Sequence, residues 1–189
     1  MGPVRPRLDM KRLARALTKL LLTLLLLGGL LAALWPPARH PLTIVRLARI
    51  PAPSSLPVPV DGVRPKQIAN TWGAPRGGGR THKGVDIFAP RGTPIRSTTH
   101  GVILRVGTLH LGGQIVAVLG PGLYVHYYAH LDRFGGFAAG DVVNPGDVLG
   151  YVGDTGNAKG TPFHLHYGVY TPARGAVNPW PLLNGPGKR

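Results

Sequence analysis

His82 and Asp86 stand four residues apart around a glycine, in Thr81-His82-Lys83-Gly84-Val85-Asp86. On a helix that spacing would align the two side chains, but Gly84 and the β-branched Val85 favour a turn that enters a strand. From such a turn a loop imidazole and a strand carboxylate can converge on one ion. A second segment, Phe163-His164-Leu165-His166-Tyr167, reads as the start of a strand. Alternate side chains of a strand share a face, so His164 and His166 point the same way, about 6 to 7 Å apart. One of them can hold a metal while the other handles protons. The third segment, Tyr127-Tyr128-Ala129-His130-Leu131, ends another strand. Alternation puts His126, Tyr128 and His130 on one face, with His130 nearest a turn expected over 132–136, where clefts tend to open. Each segment alone has an ordinary explanation as surface or strand-end histidines. Together they offer the composition of a catalytic zinc centre, two His and one Asp with a fourth position left for water. The chain has no cysteine, so neither a thiolate-held metal nor a disulfide framework is possible.

Short strands must position these residues. From Gly73 onward Gly and Pro recur at short intervals between runs rich in Val, Ile and Tyr, the rhythm of an all-β domain. Strands are expected over 85–88, 101–106, 114–119, 123–129, 148–152 and 165–170, and nothing between them keeps a helical period for more than a turn or two. A length of 189 residues accommodates one such domain and an appendage.

The appendage is N-terminal. Residues 20–35 carry no charge and as a helix would be about 24 Å long. Adding 17–19, with Lys19 snorkelling, brings the segment close to the roughly 20 residues that span a bilayer. Arg5, Arg7, Lys11, Arg12, Arg15 and Lys19 precede it against only Asp9, which keeps the N-terminus cytoplasmic and places the rest outside. A cleaved signal peptide is the rival reading. Ala32-Ala33, followed at once by Trp35-Pro36-Pro37, make a poor cleavage site and favour the anchor. The expected division is a basic cytoplasmic N-terminus over 1–16, a transmembrane anchor over 17–35, a Pro-rich extended linker over 36–57, the main domain over 58–184, and a tail over 185–189. The net charge of +15 comes from 22 Lys and Arg against 7 acidic residues. The cations of the main domain are scattered and form no nucleic-acid motif, so no nucleic acid is expected as a partner, and an anionic envelope is.

Taken in order, His82-Lys83-Gly84-Val85-Asp86, Tyr128-Ala129-His130-Leu131 and His164-Leu165-His166 resemble the three hallmarks of the lysostaphin/LytM-type zinc metallopeptidases: H-x-x-x-D, Tyr-x-His-Leu and His-Leu-His. The glycine-rich passages 89–94, 144–147 and 150–156 fall where that family has its turns, and the match covers 58–184. The resemblance implies a mostly antiparallel β-sheet or sandwich with a metal-floored groove. It implies Zn2+ held by His82, Asp86 and His166, with His130 and His164 as the catalytic pair beside the water and the scissile carbonyl. The implied activity is hydrolysis of peptide bonds in bacterial peptidoglycan stems or crosslinks through a metal-activated water. The implied place is the cytoplasmic membrane, with the domain in the periplasm or outside. A catalytically silent module that activates another wall hydrolase is the competing reading; such modules lack zinc ligands, and all five site residues stand here. Gly168 departs from the family's usual Glu, which bears on local packing. His40, His100, His110 and His126 match no motif and are expected to be surface or structural residues, and Trp72 and Trp180 to be packing residues rather than glycan platforms. Arg76, Arg80 and Lys83 surround the first motif, where they would either steer anionic peptides or form a solvated loop.

Overall fold

A computed structural model describes residues 10–185. The start of the basic N-terminus, 1–9, and most of the expected tail, 186–189, lie outside the described residues. Helix α1, Met10–Leu34, is built mostly of Leu, Ala, Lys and Arg, all strong helix formers, which outweigh Thr18, Thr23, Gly28 and Gly29. It starts before the span expected at 17 and stops before Trp35-Pro36. None of it is buried. It is long and apolar enough to cross a membrane, a property that a signal sequence shares.

The extended linker expected over 36–57 is helical in its first part. Pro36–Arg39 form a 3-10 turn and Pro41–Arg49 form α2. The prolines sit at the first helical positions, where the missing N–H costs nothing and the fixed φ suits the helix. Here proline marks helix starts. Leu47 of α2 is buried against Val102 and Leu119, with Ile44 beside it, so tertiary packing holds a helix too short to form alone.

Eleven strands follow: β1 Pro75–Arg76, β2 Arg80–Thr81, β3 Val85–Phe88, β4 Pro94–Arg96, β5 Gly101–Leu109, β6 Gly113–Leu119, β7 Val125–Phe134, β8 Val142–Val143, β9 Val148–Val152, β10 His164–Thr171 and β11 Gly175–Val177. A short helix, α3 Trp180–Asn184, closes the domain. Every pairing among the described strands is antiparallel. β1 and β2 form a separate hairpin around Gly77–Gly79; the other nine strands make one sheet with the spine β11-β10-β7-β6-β5-β8. β6 runs beside β7 for its whole length, so β10 and β9 share the other edge of β7. β10 pairs with residues 125–129 and β9 with 131–134.

One face of this sheet is the core. Val85 and Ile87 of β3, Tyr128 and Leu131 of β7, and Leu165, Tyr167 and Val169 of β10 are all buried in one cluster. Each aliphatic member contributes about 1.5–3 kcal/mol. Tyr128 and Tyr167 keep their hydroxyls bonded there. Thr98 Oγ1 lies 2.9 Å from each, and Tyr167 Oη lies 2.7 Å from His126 Nδ1. His126 is therefore structural, as expected, and burial lowers its pKa to about 4.

Candidate metal centre and active site

The period of two that buries Val85, Ile87, Leu165 and Tyr167 turns Asp86, His164 and His166 to the opposite face. Register then brings them together: His166 is paired with Asp86 of β3 on one side and with Ala129 of β7 on the other. The small Ala129 leaves room beside the imidazole. His82 arrives from the turn before β3, its backbone tied to Gly73 and Ala74 by bonds of 3.0 and 2.9 Å. Gly84, between His82 and Asp86, is there for clearance. A Cβ would stand 2.6 Å from the Tyr167 carbonyl oxygen and 2.7 Å from the His166 ring.

Three atoms that could hold a metal ion consequently form a small triangle. His82 Nε2 lies 2.7 Å from His166 Nδ1 and 3.0 Å from Asp86 Oδ1, and the third side is 3.3 Å. His82 Nδ1 donates to the Thr71 carbonyl at 2.8 Å, which fixes the tautomer and leaves the Nε2 lone pair facing the triangle. Tetrahedral zinc with bonds of about 2.0–2.1 Å separates its ligands by about 3.3 Å, so these residues fit the ion with a slight expansion. Two imidazoles and a carboxylate suit a divalent transition metal, zinc among them. Burial opposes ionisation of Asp86, but its contacts to His166 and His82 prevail and hold it well below the usual carboxylate range. Its other oxygen takes a salt bridge from Arg76. Burial also lowers the His166 pKa, which keeps the ring a neutral donor to a metal.

His130 reaches the site by a route that alternation does not foresee. The expectation that it shares a face with His126 and Tyr128 is wrong. Those two point into the core, and His130 is turned out of it by a β-bulge. Between the pairs Tyr128–Val116 and Leu131–Gln114, β7 has one residue more than β6, and His130 adopts φ +65°. That conformation is uncommon for a residue with a side chain, although His adopts it more readily than most. It falls where β7 exchanges β10 for β9, and the strand runs on to Phe134 through the expected turn. Backbone contacts support it: His130 N donates to Gly112 O at 2.8 Å, and the Thr155 hydroxyl donates to Leu131 O at 2.8 Å. Gly113 and Gly156 let these segments touch, since a Cβ on either would come within 2.3 Å of the other segment.

His130 and His164 are oriented alike. His130 Nδ1 donates to Thr155 O at 2.8 Å and His164 Nδ1 to Pro162 O at 2.7 Å, leaving both Nε2 atoms as free acceptors. Their rings are 5.1 Å apart, and His164 Nε2 lies 3.9 Å from Asp86 Oδ1. Burial lowers the His130 pKa to about 4, outweighing the Thr155 carbonyl, so the ring is neutral at ordinary pH.

All five predicted residues therefore line one groove of about 910 Å³, with Tyr127 and Tyr170 as one wall and the β1–β2 hairpin as a rim that carries Arg76 and Arg80. Sequence reasoning missed the carbonyls of Thr71, Thr155 and Pro162, because a backbone acceptor leaves no trace in residue type. It also missed Arg76 as a partner of Asp86, for which the nearby Gly77–Gly79 turn was the available signal.

The model of peptidase family M23 matches residues 80–179. The L-Ala–D-Glu endopeptidase of Bacillus subtilis is 43% identical over 109 residues, 53% of this chain and 33% of that protein. The peptidoglycan DD-endopeptidase ShyC of Vibrio cholerae is 34% identical over 88 residues, 47% of this chain and 20% of that protein. The chain thus spans a third or less of the length of these curated relatives. The crystallised catalytic domain of lysostaphin from Staphylococcus simulans superposes with a TM-score of 0.57 at 30% identity, covering 62% of this chain and 92% of that one. The family match takes in all five residues of the groove and more than half of the sequence, and on that ground the chain belongs to peptidase family M23.

Proposed function

We propose that this protein is a zinc-dependent endopeptidase that hydrolyses peptide bonds in the stems or crosslinks of bacterial peptidoglycan, with its peptidase unit over 58–184. The observation that carries the reading is the triangle of His82 Nε2, Asp86 Oδ1 and His166 Nδ1 with two more imidazoles beside it, each offering Nε2 to the groove. A bound zinc ion would act as a Lewis acid on the scissile carbonyl and on the attacking water. The chain's own groups do the rest. Either His130 or His164, each held by a carbonyl at Nδ1, takes the proton of the water at Nε2 and returns it to the leaving amine. The apolar wall of Tyr127 and Tyr170 limits water and strengthens each polar contact in the groove. Relatives named for peptidoglycan bonds support the substrate class. The candidate span α1 supports a cytoplasmic-membrane anchor with the groove outside; secretion after cleavage is the alternative.

The test uses the full chain in detergent with purified peptidoglycan, with and without a chelator. New amino termini should appear only with metal present. His166→Ala should lose both metal and turnover, whereas His130→Ala should retain metal and lose turnover. A protein that binds no metal and releases no amino termini under any condition would instead be the silent module that activates another hydrolase.

A further inference from the structure

The segment between α1 and the sheet is seated on the domain. Pro37 is buried, and Pro36 packs so closely on Gly140 that a Cβ there would meet its carbonyl oxygen at 3.0 Å. Leu47 of α2 enters the apolar cluster of Val102 and Leu119. Gly122 N donates to Ile50 O at 2.8 Å, and Ala52 lies against the same glycine. The domain is thereby fixed to the segment that leaves α1.

The outer face of α2 has a different composition. Leu42, Val45, Arg46 and Arg49 follow the i, i+3, i+4, i+7 spacing of a single helical stripe. Leu42 is 84% exposed and Val45 48%, and Arg46 and Arg49 are exposed beside them. No acidic residue occurs between Met10 and Val60, and no ion pair reaches either arginine among the described residues. Apolar side chains interleaved with cations suit an interface between hydrocarbon and anionic headgroups better than water or a neutral protein surface. In the chain α2 follows α1, the candidate span, after only Trp35, the 3-10 turn of 36–39 and His40.

We propose that Trp35 to Arg49 form a docking collar whose partner is an anionic phospholipid surface, and that the collar aims the groove away from the bilayer. The direction follows from the strands. α2 meets the sheet at Leu119, Leu123 and Val125, the end where β6 passes into β7. The site lies at the other end of the same two strands, where His130 bonds to Gly112. Seven residues of β6, Gly113–Leu119, separate the two by about 20 Å at about 3.4 Å each. The inference rests on α1 spanning the membrane.

The test uses the full chain reconstituted in vesicles of phosphatidylcholine alone or mixed with phosphatidylglycerol. Because the chain has no cysteine, Leu42→Cys on the collar and Lys159→Cys near the groove each accept one fluorescent label. A nitroxide carried on a lipid headgroup should quench the collar label at least about threefold more than the groove label in anionic vesicles. Arg46→Gln with Arg49→Gln should lower that quenching in anionic vesicles and not in neutral ones. Intact mass and flotation report separately whether α1 is retained and inserted. Equal quenching of the two labels with α1 inserted overturns the collar; quenching indifferent to lipid charge and to the arginines overturns the anionic partner. Release of a shortened chain overturns the span itself.

Discussion

Alanine at position 84 has nowhere to place its methyl group. The added Cβ would lie 2.6 Å from the Tyr167 carbonyl oxygen, 2.7 Å from His166 Cε1 and 2.8 Å from His166 Nε2. Non-bonded carbons rest at about 3.5–4.0 Å, so something must yield by about 0.8 Å. The Tyr167 backbone is held in the ladder opposite Val85 and resists, so the turn that carries residue 84 is pushed away from β10 and the His166 ring is displaced as well. That ring would supply one of the three ligand atoms of the proposed metal site, whose working tolerance is about 0.5 Å. Gly84→Ala should therefore weaken metal binding about 10- to 100-fold and lower kcat/KM by about 100-fold, while the overpacking destabilises the fold by about 1–3 kcal/mol. Chelator competition gives the affinity, release of amino termini from peptidoglycan gives the rate, and a thermal melt shows that the variant is folded. A folded Gly84→Ala protein with metal affinity and turnover within about twofold of the parent would refute the idea that this glycine makes room for His166.

Two further predictions concern groups behind the site. His126 is fully buried and its pKa falls from 6.5 to about 4 through burial. The unfolded chain thus binds a proton that the native state refuses: stability is complete above about pH 6.5 and is lost as pH falls toward 4, by an amount on the order of 3 kcal/mol. Urea denaturation from pH 7.5 to 4.5 should show this loss, and His126→Gln should remove one share of it, with the buried ring of His130 leaving a comparable share; an equal acid loss in the variant would assign the effect elsewhere. Arg76 holds Asp86 Oδ2 while Oδ1 faces the triangle, so Arg76→Ala should reduce metal affinity about tenfold with little change in melting temperature. An unchanged affinity would leave Arg76 as a rim residue without influence on Asp86.

The legible part of this protein was the part written in alternation. In β3 and β10 the same period that buries Val85, Ile87, Leu165 and Tyr167 turns Asp86, His164 and His166 to the groove, so motif and fold are one signal. Six strands could be read because their apolar runs have four or more residues. β1, β2, β4, β8 and β11 have two or three residues each, too few to show a period, and exist because neighbouring strands hold them. His130 was identified by its motif but misplaced by alternation, since a bulge inserts one residue and flips the face. α2 was hidden because its prolines read as extended chain, and only contact with Val102 and Leu119 reveals its apolar side.

The central claim is that His82, Asp86 and His166 hold one zinc ion. A crystal structure of the zinc-loaded protein, with anomalous data collected at the zinc edge, tests it most directly. Expected is a single peak about 2.0–2.2 Å from His82 Nε2, Asp86 Oδ1 and His166 Nδ1, with the Nε2 atoms of His130 and His164 facing its open side. Zinc bound at other residues, or peptidoglycan hydrolysis that continues after complete removal of metal, would contradict it.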